Sequence, residues 1–241
     1  MKKVILIALL GLTFASCNNT IGWNIKPSGE VVTDTISIKS FQTLLNNSSA
    51  NIELDSSINE NQIIVVGDKS FVENLVIKNN NNQLDISNKK KVSFNTKSSP
   101  LIIKMNNPKL QKVIIAGSGS IATNNVTITN DIEFHISGAG EINAKLFNNM
   151  TSIYVNGAGD IRLRGESSEL KASMSGAGSL NAENLQNKLA NIEISGAGSA
   201  KVNTSEEINV RISGVGSLDY KKYDQLKISQ KISGIGSVDS Y

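Results

Sequence analysis

The chain has 241 residues, with 24 Lys and Arg against 21 Asp and Glu and a single histidine. That balance argues against nucleic acid, which demands a strong basic patch, and aromatic residues at 5% leave few platforms for stacking bases. With three prolines, one cysteine and no long helical periodicity, the core must come from Ile, Val and Leu, and no disulfide can close within one chain.

Residues 1–16 read as a targeting segment. Lys2 and Lys3 give a positive start, and Val4 to Leu12 is an apolar run too short to span a membrane as a mature helix. Phe14-Ala15-Ser16-Cys17 comes next. Small residues directly before the only cysteine resemble a bacterial lipoprotein signal box. The resemblance implies cleavage before Cys17 and lipid on its thiol and amine; the alternative is an ordinary signal peptide with an incidental cysteine. The processed chain would hold 22 basic and 21 acidic residues and would be anchored to a membrane, not threaded through it. Residues 17–32 are polar, contain Gly22, Pro27 and Gly29, and read as a tether. Trp23 within it either rests at the lipid interface or caps the first coil.

Residues 33–241 read as one elongated β domain. Its first part offers short strand candidates at Thr35–Ile38, Ala50–Leu54, Gln62–Val66, Leu75–Lys78, Gln83–Ile86 and Leu101–Met105. Asn79 to Asn82 is an all-asparagine link and a turn. Lys89-Lys90-Lys91 reads as a solvated loop. These irregular strands are expected to cap the more regular half of the domain, which begins near residue 113.

From Gly117 to Gly236 a Gly-x-Gly turn recurs seven times, at Gly117 and Gly119, Gly138 and Gly140, Gly157 and Gly159, Gly176 and Gly178, Gly196 and Gly198, Gly214 and Gly216, and Gly234 and Gly236. The steps between first glycines are 21, 19, 19, 20, 18 and 20 residues. A fixed period near 20 is the signature of a repeat architecture. Two places before each first glycine stands Ile115, Ile136, Val155, Met174, Ile194, Ile212 or Ile232, and four places after it Ile121, Ile142, Ile161, Leu180, Ala200, Leu218 or Val238. Alternation on both sides of the turn marks strands with one buried face. Each unit therefore reads as strand, Gly-x-Gly corner, strand and polar return, and stacking of units closes a shared core. The expected fold is a single-stranded parallel β-helix, right-handed as parallel crossovers are. The corner glycines are expected either to adopt positive φ or to permit close approach of coils. A dinucleotide loop needs a third glycine and a following helix, whereas here Ser-Ile, Glu-Ile, Asp-Ile or Ser-Leu continues as strand.

The lipoprotein-like start, the irregular strands and the run Pro108-Lys109-Leu110-Gln111-Lys112-Val113-Ile114-Ile115-Ala116-Gly117-Ser118-Gly119-Ser120-Ile121, with Ser-Gly-Ala-Gly repeated after it, resemble the family called "putative auto-transporter adhesin, head GIN domain", common in Bacteroidota. The resemblance covers roughly residues 36 to 220. It implies a β-helical protein of the cell envelope. It implies no established activity and carries over no catalytic residues.

Candidate chemistry is sparse. The residues after the second glycines form a column of Ser120, Glu141, Asp160, Ser179, Ser199, Ser217 and Ser237. On neighbouring rungs Glu141 and Asp160 would lie about 5 Å apart. Such a pair is either solvated, shares a calcium ion, or acts as a retaining glycosidase pair. His135, between Phe134 and Ile136, faces outward; with no cysteine or second histidine nearby a zinc site is not expected. Polysaccharide lyases share only the fold, and Arg162, Arg164 and Arg211 are the only arginines. Asp34-Thr35-Ile36 resembles the short O-glycosylation signal of exported Bacteroidota proteins and serves equally as a strand start.

The expected function is a non-enzymatic envelope lipoprotein that needs no cofactor and presents a rigid β-helical surface for adhesion or assembly. The alternative is a carbohydrate-active β-helix protein that binds or cleaves glycans. Expected partners are the membrane, through lipid on Cys17, and a glycan or protein ligand. The expected location is the outer membrane; no acidic run stands after Cys17 to fix which face. The last repeat, Gln230 to Tyr241, has no cap after it, so self-association through the C-terminal coil is expected.

Overall fold

In a computed structural model of the chain, residues 23–241 are described, apart from 90, 91, 95, 97 and 98. The leader and Cys17 therefore lie outside the described residues, as does most of the lysine run. The first part contains β1 (Trp23–Ile25), β2 (Val31–Ser37), β3 (Thr43–Asn47), β4 (Asn51–Leu54), β5 (Gln62–Asp68), one helical turn α1 (Lys69–Val72), β6 (Leu75–Asn80), β7 (Gln83–Asn88), β8 (Val92–Phe94) and β9 (Ile102–Met105). The glycine-rich part contains β10 (Lys112–Ile115), β11 (Ser120–Thr123), β12 (Ile132–Ile136), β13 (Glu141–Val155), β14 (Asp160–Met174), β15 (Ser179–Ile194), β16 (Ser199–Ile212), β17 (Val215–Tyr220), β18 (Lys227–Ile232) and β19 (Ile235–Ser240).

Two parallel ladders run the length of the molecule, one on each side of the corners. Ahead of the corner the order is β7, β3, β10, β12, the second halves of β13 to β16, then β18. Past the corner it is β9, β4, β11, the first halves of β13 to β16, then β17 and β19. The chain is a parallel β-solenoid, as the 20-residue repeat predicts. The inward columns found in the sequence are in register: Ile115, Ile136, Val155, Met174, Ile194 and Ile212 stack rung on rung. All are buried. Each of the coils built on β13 to β16 removes three or more Ile, Val or Leu side chains from water, worth about 1.5–3 kcal/mol apiece before the entropy of ordering the chain is charged against it.

Spatial order departs from chain order at the N-terminal end. The coil β3–β4 lies between β7–β9 and β10–β11. Antiparallel strands close that end: β5 pairs with β9, β2 with β5, and β6 with β7. The β6–β7 hairpin turns at Asn81 and Asn82, with φ of 50° and 63°. Two successive left-handed residues match the turn that suits the twist of a hairpin, and asparagine tolerates them.

Three features differ from expectation. The polar returns are not loops: β13 to β16 run 15, 15, 16 and 14 residues through them as strand. Register slips there, between Arg162 and Arg164 and again between Ala182 and Gln186, absorb the unequal coil lengths. The stretch expected as a free tether is attached from residue 23 onward. β1 pairs with β8 in a small parallel sheet, and the Ser28 and Gly29 amides donate to the Asp68 carboxylate at 2.9 and 2.8 Å. The corner glycines, finally, do not use positive φ. Gly29 and Gly165 are the only described glycines that do, so of the two expected reasons positive φ does not hold at the corners, Gly176 and Gly178 included. Close approach is the reason for glycine: a Cβ on Gly176 would overlap the Gly157 carbonyl oxygen of the coil before it.

Candidate functional site

The acidic column is assembled as the sequence predicts. Ser120, Glu141, Asp160, Ser179, Ser199, Ser217 and Ser237 are direct rung-to-rung partners. Asn51 extends the column by one coil. Each carboxylate already has a partner: Arg162 forms an ion pair with Glu141, and the Ser179 hydroxyl donates to Asp160. Both are exposed at the corner, where with Asn51, Ser120 and the corner glycines they line an open recess. Among the described residues, no group of three or more His, Cys, Asp or Glu side chains is gathered in one place.

His135 lies on the face ahead of the corner. Its Nε2 is 3.1 Å from Glu133 Oε2, and its ring stacks on Tyr154 of the next coil at 4.6 Å between centroids. Glu133 also pairs with Lys112 at 3.0 Å. The hydrogen bond from His135, with the Lys112 ammonium beside it, holds the Glu133 carboxyl below its ordinary range. This is an ion-pair network on a flat strand face, and no serine takes part in it.

A further recess lies on the return side of the coils. Here Thr129, Phe147, Asn148, Glu166, Gln186 and Lys188 line a groove of 590 Å³, together with neighbouring serines and asparagines. Phe147, Glu166 and Gln186 occupy one column on three successive rungs. Phe147 is 61% exposed. Placing an aromatic ring in water costs free energy, and the other described phenylalanines, Phe41, Phe71, Phe94 and Phe134, are buried. Among the described residues neither the Glu166 carboxylate nor the Gln186 amide is engaged by another side chain, so both face the recess unspent.

A polar ladder inside the return fixes this groove. The Thr151 and Ser167 hydroxyls lie 3.1 Å apart, and Ser167 donates to the Glu169 carbonyl at 3.1 Å. One coil on, Thr204 donates to Asn187 Oδ1 at 2.6 Å, and Asn187 donates to the Leu185 carbonyl at 3.2 Å. Asn148 donates to the Asn130 and Met150 carbonyls. Thr151, Ser167, Asn187 and Thr204 are all buried. Satisfied buried polar groups of this kind hold one geometry, because breaking a single bond strands a donor away from water. The column is invisible as a sequence period because it advances in unequal steps, from Asn148 to Ser167, Asn187 and Thr204. The one available signal was Phe147, a lone aromatic beside Asn148 and Asn149 in a polar return.

The arrangement can hold a ligand with a flat apolar face and hydroxyls on its rim. An exposed ring offers the stacking surface, and amides and a carboxylate offer paired donors and acceptors. The groove lining contains one carboxylate, Glu166, and neither histidine nor cysteine.

A family model described as "Putative auto-transporter adhesin, head GIN domain" matches residues 40–223. No curated protein matches the chain. Among solved structures, a putative adhesin from Bacteroides fragilis is similar at 22% identity with a TM-score of 0.79, covering 91% of this chain and 100% of that one. A putative lipid binding protein from Parabacteroides distasonis is similar at 20% identity with a TM-score of 0.68, covering 91% and 100%. A putative adhesin from Parabacteroides merdae is similar at 20% identity with a TM-score of 0.62, covering 90% and 99%. At these identities the likeness establishes the fold.

Proposed function

The chain belongs to the head GIN domain family of putative auto-transporter adhesins, and on that premise we propose that it is an envelope lipoprotein that binds a glycan at the Phe147 groove, in adhesion or envelope assembly and without catalysis. The observation that carries this reading is the exposed Phe147 ring on the same column as the unengaged Glu166 and Gln186 side chains. An aromatic ring stacks on the apolar face of a sugar, while planar amides and a carboxylate take its hydroxyls. An acyl chain would leave those polar groups desolvated and unpaired, which costs free energy. Cleavage by the usual mechanism needs two carboxylates across the scissile bond, and the groove supplies one.

The membrane part of the proposal rests on Cys17 and the segment before it. Among the described residues no helix is long and apolar enough to cross a membrane, so attachment through lipid on Cys17 fits a body made of strands. A glycan and matrix-protein array tests the ligand class. The chain should give glycan signals that fall roughly tenfold or more in Phe147→Ala, the scale of a central aromatic contact, and that survive in Tyr154→Ala on the other face. Binding only to matrix proteins, or glycan signals indifferent to Phe147, would refute the assignment.

A further inference from the structure

The C-terminal end of the solenoid is built like an interior coil but stands open. β18 pairs with β16 and β19 pairs with β17, and among the described residues neither has a partner on its outer side. Its inward side chains keep the core pattern except at Gln230, which stands on Val210. Ile228 and Ile232 sit directly on Ile208 and Ile212. The lower pair is 0% exposed, whereas Ile228 and Ile232 are 37% and 39% exposed. Val238 likewise covers the buried Leu218 while remaining partly open itself. The N-terminal end, by contrast, is closed by antiparallel strands.

A second apolar feature lies at the same end. The middle corner residue is Ala139, Ala158, Ala177 and Ala197 in four coils and becomes Val215 and Ile235 in the last two. Val215 is 59% exposed and Ile235 79%. Large apolar side chains placed in water only at the corners nearest an open core are the composition of an interface.

We propose that this end binds a second copy of the chain, tail to tail about a two-fold axis, with β18 pairing antiparallel to β19 of the second copy. An edge of unpaired N–H and C=O groups is a template for another strand. A two-fold contact must be self-complementary, and charge selects the pairing. The outward residues of β18 include Lys227 and Lys231; the outward residues of β19 include Asp239. Pairing β18 with its own copy would bring lysines together. Pairing β18 with β19 sets Lys231 against Asp239, and the two-fold axis supplies that pair twice. The contact would cover Ile228, Ile232, Val238 and Ile235 and leave the return-side groove of each copy free.

Sedimentation equilibrium of the full chain in density-matched detergent reads the assembly, because only protein then contributes to the buoyant mass. Twice the mass of the processed protomer is expected. Lys231→Glu and Asp239→Lys should each weaken the dimer at least tenfold, and the two substitutions together should restore it. These residues are exposed, so folding of the variants is not at issue. A monomer at all concentrations overturns the proposal. So does a dimer unmoved by both single substitutions, or one that the double substitution fails to restore.

Discussion

A methyl group on Gly176 would enter the space held by the Gly157 carbonyl oxygen, and the same overlap recurs at the first glycine of every corner. The second glycines are less constrained, apart from Gly119, where a Cβ would overlap the Ala50 carbonyl oxygen. A Cβ on Gly198 would stand 3.0 Å from the Gly178 oxygen and 3.1 Å from the flexible end of Met174. The difference predicts a graded response. Gly176→Ala should cost on the order of 3 kcal/mol, because backbone of the neighbouring coil must move. Gly198→Ala should cost about 1 kcal/mol or less, and the exposed Ser175→Ala about 0.5 kcal/mol or less. Urea midpoints of the three variants check the order; equal losses at Gly176 and Gly198 would show that contact between coils is not what selects glycine. The sequence located all fourteen corner glycines but not which reason held at them, because positive φ and close approach leave the same letter. Gly165 shows the other reason. It has φ of +108° in the return of β14 and stands outside the Gly-x-Gly period.

At the scale of elements, Asp68 is the clasp between the body and the segment that enters it. Its carboxylate caps α1 by accepting from the Ser70 amide at 2.9 Å, and it receives the Ser28 and Gly29 amides. Burial pushes the Asp68 carboxyl up, but the hydrogen bonds from Ser70, Ser28 and Gly29 outweigh it and hold the group well below its ordinary 3.8. A carboxyl whose folded value is depressed contributes stability that is complete above its unfolded value and is lost as pH falls toward the folded one. The melting temperature should therefore drop as pH is taken below about 4, and Asp68→Asn should be less stable at pH 7 and lose less on acidification. An equal acid slope in both proteins would remove Asp68 from the account. Strands β2, β4, β5, β6, β7 and β9 were legible from alternating apolar residues, and the hairpin from its asparagines. Strand β3 was not, because Asn46 holds an inward position there. It is buried and satisfied locally, donating to the Ala50 carbonyl and accepting from Ser48. A polar letter that solves its own burial reads as outward-facing. The groove escaped for the same reason: Thr151, Ser167, Asn187 and Thr204 are inward polar residues paired across coils.

For the whole molecule, the coils act as a fixed ruler. Parallel ladders set neighbouring rungs about 4.8 Å apart, so Phe147, Glu166 and Gln186 span a length suited to one or two sugar rings with little backbone freedom to lose on binding. Attachment at one end is the remaining requirement of a surface-presenting protein. Cys17→Ala should shift the chain from the membrane fraction to an unprocessed or soluble form, since the acyl chains supply the anchoring; the mass of the native N-terminus checks the lipid directly, and an unmodified Cys17 would end that part of the proposal. The binding claim is tested most directly by calorimetric titration of the strongest glycan from the array into the wild-type chain and into Phe147→Ala. The account predicts a Kd weakened roughly tenfold or more in the variant with its melting temperature unchanged. An unchanged Kd in Phe147→Ala would contradict it.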